Sequence, residues 1–405
     1  MTKTAIRPCP ICGNRAADIL HSQRFASIGQ LPDGYDVLAC KSCGFAYADT
    51  ASTQESYDAL YQDLASRYRD TKTSTGSGAS AWDAERLAAT AAAIGSFLND
   101  PQTRILDIGC ANGGLLEALR DLGYRNLAGL DPAAACAANT RSRGFAAYTG
   151  SLTTIPRDLP PFDVLILSHV LEHIRDLHPA FKGLRRLLRE GSIVYIEVPD
   201  ASRYHEFLNA PFQDFNSEHI NHFSGLCLDN LTGQFGLAPL APVKEKLIPS
   251  SADTLYPAIF GFYEYTGADQ KMLVMDAGLR GNLGDYIARS SALMNATNNY
   301  LVRQLAECGE VVLWGAGQLA TKLLNEEPLR TANIRACVDS NPVSQGKQLR
   351  GIPILSPTDL KGVNCPIVIM STLHDADIRR NIQELGLTNR LISLREQIRG
   401  EEAGQ

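Results

Sequence analysis

The chain has 405 residues, 44% hydrophobic and 20% charged, with a formal net charge of −6. Such a composition builds a globular protein of more than one domain and argues against a disordered chain or one that grips nucleic acid by its phosphates. No apolar run approaches the ~18 residues of a membrane span, and the stretch before Cys9 lacks the apolar core of a signal peptide. Of ten cysteines, four form two CxxC pairs and six (Cys110, Cys136, Cys227, Cys308, Cys337, Cys365) are scattered through apolar segments. That usage suits a reducing compartment, so a cytoplasmic protein with no membrane partner is expected.

Residues 1–50 read as strand and turn around Cys9-Pro-Ile-Cys12 and Cys40-Lys-Ser-Cys43. A quartet of thiolates suits tetrahedral Zn²⁺, and four sulfurs close its coordination shell, which makes the expected ion structural. Gly13 and Gly44 follow the second cysteine of each pair, where the turn needs a permissive backbone. A redox pair is the plainer alternative. Residues 51–100 read as two helical pieces. The polar run Thr71–Ser80 between them is expected to be a mobile loop.

From 104 to about 200, apolar runs alternate with amphipathic helices. Arg104–Ile108, Leu127–Leu130, Asp163–Leu167 and Ile193–Val198 read as strands. Leu115–Leu122 reads as a helix with Leu115, Leu119 and Leu122 on one face. The alternation predicts an α/β fold: a parallel, Rossmann-like sheet with helices on both faces. Asp107-Ile-Gly109-Cys110-Ala111-Asn112-Gly113-Gly114 follows a strand and opens a helix, the context of a nucleotide loop. Ala111 breaks the GxGxxG pattern. Asp131, followed by Pro132, ends the next strand and can accept two hydrogen bonds from ribose hydroxyls. NAD fits this spacing; the Asp-x-Gly start resembles class I S-adenosylmethionine (SAM) methyltransferases. Ser168-His169-Val-Leu-Glu-His173 follows the fourth strand and resembles the methyltransferase segment that borders the methionine of SAM. Its plainer reading is a helix start with solvated polar residues.

Residues 201–235 break the rhythm with aromatic and polar residues, as an insert on the substrate side of a site does. Within it, Asn216-Ser-Glu218-His219-Ile-Asn-His222 is the candidate for the chemistry. Histidine takes a proton near neutral pH, and removing one beside a ketone or from a hydroxyl creates a methyl acceptor. Glu218 either orients that histidine or is itself the base. Equally, His219 and His222 could be hydrogen-bonded loop residues. Residues 268–308 read as helices. Glu310–Gln318 then reads as strand, Gly315-Ala-Gly317 turn and helix start, with strands at Ile334–Val338 and Pro366–Met370. Together with Ala320 and Asp339 this imitates a dinucleotide fold. No Tyr-x-x-x-Lys follows, so a degenerate Rossmann-like domain is expected. The tail beyond Glu396 reads as frayed.

In order and in motif, the chain resembles the three-part sugar C-methyltransferases that act on nucleotide-linked deoxysugars. The shared features are the four cysteines, the Asp107–Pro199 stretch, Gly315-Ala-Gly317, and Asp339-Ser-Asn341-Pro342-Val-Ser-Gln-Gly346-Lys347. The resemblance implies a zinc lobe and connecting helix at 1–70, a SAM domain at 80–265, and a helical linker with a Rossmann-like domain at 266–405. It also implies that the last domain closes the substrate cleft. The implied activity is C-methylation of a nucleotide-linked keto-deoxysugar or related metabolite with His219 as base. The family's Tyr-His-Glu-His stands here as Asn216-Ser217-Glu218-His219. Asn216 can donate only from its amide, unlike a tyrosine hydroxyl. O- or N-methylation of a small molecule on the same scaffold stays open. More distant alternatives are an RNA methyltransferase, which would want a basic aromatic face, and a non-catalytic SAM-binding protein.

Overall fold

Short apolar runs bounded by glycine turns become the strands of the central sheet. The computed structural model describes residues 2–26, 33–64, 76–251, 254–269 and 272–402. They divide into two compact units, neither of them one continuous stretch of chain. The first unites Met1–Ile19, Val37–Tyr204 and Glu218–Leu283; the second unites Leu20–Asp36, His205–Ser217 and Gly284–Gln405.

In the first unit, β1 (Thr2–Thr4), β2 (Ala16–Arg24), β3 (Gly34–Cys40) and β4 (Ala46–Asp49) form a sheet in chain order, and the outer ends of β2 and β3 fall in the second unit. This sheet gains a last strand from far along the chain: β10 (Asn221–His222) lies antiparallel on β4, with Asn221 opposite Tyr47. Helices α1 (Gln54–Leu64) and α2 (Ala81–Gly95) follow. Ser80 caps α2 by accepting from the Asp83 backbone N–H.

The large sheet contains β5 (Arg104–Ile108), β6 (Asn126–Asp131), β7 (Ala146–Thr149), β8 (Val164–Ser168) and β9 (Ile193–Pro199), connected through α3 (Gly114–Asp121), α4 (Ala134–Ser142) and α5 (Leu177–Leu184). After β10 come α6 (Gly225–Gly233), β11 (Leu237–Pro239), β12 (Lys244–Ser251) and β13 (Thr254–Tyr265). The strand order is β11-β13-β9-β8-β5-β6-β7, with β12 paired to β13. Strands β5 to β9 run parallel, as the sequence predicts. Strand β13 joins β9 antiparallel and was not legible, because Pro257 and Gly261 interrupt a run otherwise rich in aromatic residues. The chain leaves β5 toward β6 and leaves β8 toward β9. The loops after β5 and β8 therefore diverge and open a crevice at the strand ends. Leu87, Ala91 and Ile94 of α2 pack with Leu116 and Leu119 of α3 onto Ile105, Val164 and Ile166. Leu122, expected on that face, lies just past the end of α3 and is 53% exposed. Of the expected mobile loop, 71–75 lies outside the described residues, while 76–80 is placed.

The second unit carries most of α7 (Leu279–Leu305), then β14 (Val311–Trp314), α8 (Gln318–Leu323), β15 (Ile334–Val338), β16 (Gln348–Leu349), β17 (Ile352–Leu355), β18 (Ile367–Ile369), α9 (Asp375–Glu384), β19 (Leu391–Ser393) and α10 (Leu394–Glu402). Its sheet runs β16-β17-β15-β14-β18-β19, with β14 parallel to both β15 and β18. Where fraying was expected, α10 continues to Glu402, anchored by the buried Ile398. No helix among the described residues is long and apolar enough to cross a membrane.

Candidate functional site

The loop after β5 is shaped by positive backbone angles: φ is 84° at Gly109, 45° at Ala111 and 79° at Gly113. Gly109 N–H donates to the Leu130 carbonyl at 2.7 Å, fastening the loop to β6. Asp131 accepts from the backbone N–H of Ala111 at 2.9 Å and of Ala133 at 2.8 Å. Burial nevertheless pushes its carboxyl up to about 6. Asp107 is also buried, and burial plus the nearby Asp131 push it up to about 7. Cys110 faces the sheet, where a Cβ on Gly129 would stand 2.6 Å from its sulfur. Asn112 accepts from Asn139 Nδ2 at 2.8 Å, and Pro132 lies between Asp131 and Ala133. The segment from Gly76 covers the helix start, its carbonyl accepting from Gly114 N–H at 3.0 Å.

The loop after β8 faces this one. A Cβ on Gly109 would stand 2.7 Å from Val170 Cγ2. His169, at φ 56°, sits between two carboxylates. Its Nδ1 is 3.1 Å from Glu172 Oε1 and its Nε2 is 3.1 Å from Glu197 Oε1. Both ring nitrogens can donate only in the imidazolium form. Burial alone would lower the His169 pKa, but the two carboxylates outweigh it and raise it to about 9. Burial would likewise raise both acids. His169 and His173 instead hold Glu172 down at about 2, and His169 with Lys246 holds Glu197 below the usual carboxylate range. Lys246 Nζ donates to Glu197 Oε2 at 2.8 Å, and the Tyr195 hydroxyl donates to the same oxygen. Ser168 donates to Glu197 Oε1 at 3.4 Å.

The third part is the segment leading into β10. His173 Nδ1 is 3.0 Å from the Glu218 carbonyl oxygen, and the His173 and His219 rings meet edge to face with centroids 4.9 Å apart. Ile220 N–H donates to the Glu172 carbonyl at 2.9 Å. Asn221 Nδ2 donates to the carbonyls of Leu171 and Ile174, at 2.7 Å each. The buried Arg7 holds the other side of this segment. Its guanidinium donates to the carbonyls of Ala48 at 3.3 Å, Ile220 at 3.2 Å and Arg175, and to Asn221 Oδ1 at 2.9 Å. Burial, with His173 nearby, pushes His219 down to about 3, and burial with Arg7 nearby does the same to His222. His222 is fully buried on β10, its ring edge-to-face with Tyr204. Asn216 falls in the second unit, its amide donating to the Gln213 carbonyl at 3.2 Å.

Cys9, Cys12, Cys40 and Cys43 bring all four sulfurs within 4.8 Å of one another. Cys9 and Cys43 are 3.6 Å apart and Cys12 and Cys40 are 3.3 Å apart. These separations exceed the ~2.05 Å of a disulfide and are near the tetrahedral edge of about 3.8 Å that Zn–S bonds of ~2.3 Å produce. Gly13 and Gly44 take φ of 74° and 78°, as the knuckle turns require. A Cβ on Gly44 would stand 2.2 Å from the Asp276 carbonyl oxygen.

The first unit thus joins Asp107, Gly109, Asp131, His169, His173 and His219 around adjacent strand ends. Sequence reasoning missed Glu172, Tyr195, Glu197 and Lys246. The available signal was Glu197 itself, a charge inside the apolar strand Ile193–Pro199, which a buried strand tolerates only when the charge is paired.

The second unit repeats part of this arrangement. Gly315 N–H donates to the Val338 carbonyl at 2.7 Å and Ala316 N–H donates to Asp339 Oδ2 at 2.9 Å. Beside this turn is a cavity of about 430 Å³ lined by Trp314, Gln318, Lys322, Asp339 and Thr372 among others. Burial lowers Lys322 to about 7 against the pull of Asp214.

Residues 80–241 match the family model described as a methyltransferase domain, and residues 308–393 match one described as C2185-like, N-terminal. Among solved structures, a Pyrococcus horikoshii protein is similar at 19% identity over 49% of this chain and 97% of its own, with a TM-score of 0.39. A SAM-dependent methyltransferase from Thermotoga maritima is similar at 15% identity over 52% of this chain and 97% of its own, with a TM-score of 0.36. One from Methanosarcina mazei is similar at 14% identity over 45% and 98%, with a TM-score of 0.36. No curated protein matches the chain. The methyltransferase match contains Gly109, Asp131, His169, Glu197 and His219.

Proposed function

We propose that this chain, whose residues 80–241 match a methyltransferase-domain model, is a SAM-dependent methyltransferase that methylates a carbon of a nucleotide-linked keto-deoxysugar or a related small metabolite, with His219 as general base. One observation carries this assignment. His219 stands with a ring nitrogen within 4.8 Å of the Glu172 carboxylate and its ring edge to face with His173; burial disfavours its charged form, so the ring is free to accept a proton and needs the carboxylate to hold it. The ring takes a proton from the carbon next to the ketone, and the Glu172 carboxylate stabilises the imidazolium that forms. The electron pair of the broken C–H bond passes through the enolate into the new C–CH₃ bond. The methyl–sulfur bond breaks with its pair on sulfur, and S-adenosylhomocysteine leaves. Asp131 holds the cofactor ribose, the loop from Asp107 to Gly113 lies along the cofactor, and Ser168, His169 and His173 border its methionine part. Glu218 offers its carbonyl to His173 and so sets the ring beside the base.

The four cysteines hold one Zn²⁺ with a closed shell and a structural duty. None of the ten cysteines is in a disulfide, which accords with a cytoplasmic site of action.

The test is SAM turnover against a panel of nucleotide-linked 4-keto sugars, with the product read by NMR. A new C–CH₃ signal is expected. An O–CH₃ or N–CH₃ signal would move the acceptor to a heteroatom on the same scaffold. His219→Asn should lower turnover about 10²- to 10⁴-fold with S-adenosylhomocysteine affinity kept, and an unchanged rate would remove His219 as base.

A further inference from the structure

The geometry points to a second metal position, separate from the four cysteines: Glu172, His173 and His219 form a site for one divalent cation of the zinc class. Their donor atoms lie within 4.8 Å of one another. His173 Nδ1 faces the Glu218 carbonyl oxygen at 3.0 Å. A carbonyl only accepts, so Nδ1 carries the hydrogen, and in the neutral ring Nε2 carries the electron pair. A ligating histidine is habitually oriented in this way, donating its other N–H to a backbone carbonyl. Nε2 lies 3.9 Å from Glu172 Oε1. That is too long for a hydrogen bond and a few tenths of an ångström beyond the ~3.3–3.6 Å tetrahedral edge of two ligands each ~2.0–2.2 Å from one ion, a gap that a small side-chain shift closes.

Glu172 is prepared for a cation. It is 1% exposed, and among the described residues its Oε2 has no hydrogen-bond partner. His169 fixes the carboxylate through Oε1. The backbone fixes the third ligand, because the Glu172 carbonyl holds Ile220, the neighbour of His219. The His173 side chain is 20% exposed and gives an ion a way in. Two imidazoles and one carboxylate favour Zn²⁺ or Co²⁺ over the oxygen-seeking Mg²⁺ and Ca²⁺, and they leave a fourth position open.

A cation on His219 occupies the electron pair that proton removal needs. Zinc therefore competes with the substrate's proton and silences the enzyme. This consequence rests on His219 as base; the site itself does not.

The experiment is equilibrium dialysis of the full-length protein against chelator-buffered Zn²⁺, with metal counted per chain. Wild type should hold one zinc more than His219→Ala and one more than Glu172→Gln. Both variants must keep the wild-type circular dichroism and S-adenosylhomocysteine affinity. Using two variants guards against one that fails to fold, and the difference does not depend on how the cysteines are loaded. Equal zinc in wild type and a folded variant overturns the site. Turnover is followed over the same zinc series and should fall about tenfold or more as the extra zinc binds. If the extra zinc binds and turnover holds, the site stands and the assignment of His219 as base fails.

Discussion

Asp131 accepts two backbone N–H bonds and still has its carboxyl pushed up to about 6 by burial. Its ordinary value is about 3.9. Below pH 6 the folded protein takes up this proton before the unfolded chain does, so the group's effect on stability becomes more favourable as pH falls toward 4. On the proposed role of Asp131, cofactor binding moves the other way, because protonation would remove an acceptor for the ribose. S-adenosylhomocysteine affinity should fall between pH 7 and 5. Asp131→Asn should weaken it about tenfold or more at pH 7, the cost of a bond to a charged group being ~1.5–3 kcal/mol. The variant should also flatten the part of the profile that Asp131 causes; titration calorimetry across pH would show an unchanged slope if another group is responsible. Gly109 is a second test at this scale. Alanine there meets Val170 at 2.7 Å and must hold φ near 84°, a left-handed angle that costs an L-residue about 1–2 kcal/mol. Gly109→Ala should lose cofactor affinity at least tenfold, and Val170→Ala added to it should restore only the part due to the clash. That Asp131 ends β6 and that Gly109 turns the loop after β5 was readable from strand, turn and spacing. Glu197 was not, since nothing local says that His169 answers its charge.

The element that follows the proposed base is β10. Two residues long, it is held by β4 on one side and by the turn Leu171–His173 on the other, with Arg7 and Asn221 between. The lobe carrying the cysteines thereby sets where His219 stands. Arg7→Met leaves the carbonyl of Arg175 and Asn221 Oδ1 without this donor. It should cost about 2–4 kcal/mol of stability, since each buried polar group left unsatisfied costs ~1–3 kcal/mol. Turnover should fall more steeply than S-adenosylhomocysteine affinity, because the loop at Gly109 does not touch Arg7. Thermal unfolding and the two assays together check this, and equal losses in both would make Arg7 a general stabiliser only. The pairing of β4 with β10 was invisible in the sequence. Two polar residues carry no strand signal, and their partner lies more than 170 residues earlier.

For the molecule as a whole, the cysteine cluster ties the N-terminal sheet to distant chain: Asp276 N–H donates to the Cys43 carbonyl at 3.0 Å. Cys40→Ser should release one zinc per chain, lower the melting temperature and reduce turnover through β10 while the cofactor loop still binds. An unchanged melting temperature on scanning calorimetry would rule out a structural ion there. By itself the sequence determined the alternation of strands and helices, the glycine loop after β5 with the aspartate that ends β6, and the paired cysteines. Each of these is set by spacing within a few residues or by the period of apolar side chains. Only the tertiary structure decided that His169 is charged and His219 is not. Register pairs Ser168 with Glu197 and brings a carboxylate to His169. At His219 burial outweighs the nearby Glu172 carboxylate, and the interior therefore opposes its charge. Protonation state follows from burial and from partners far apart in the chain, and folding alone brings those together.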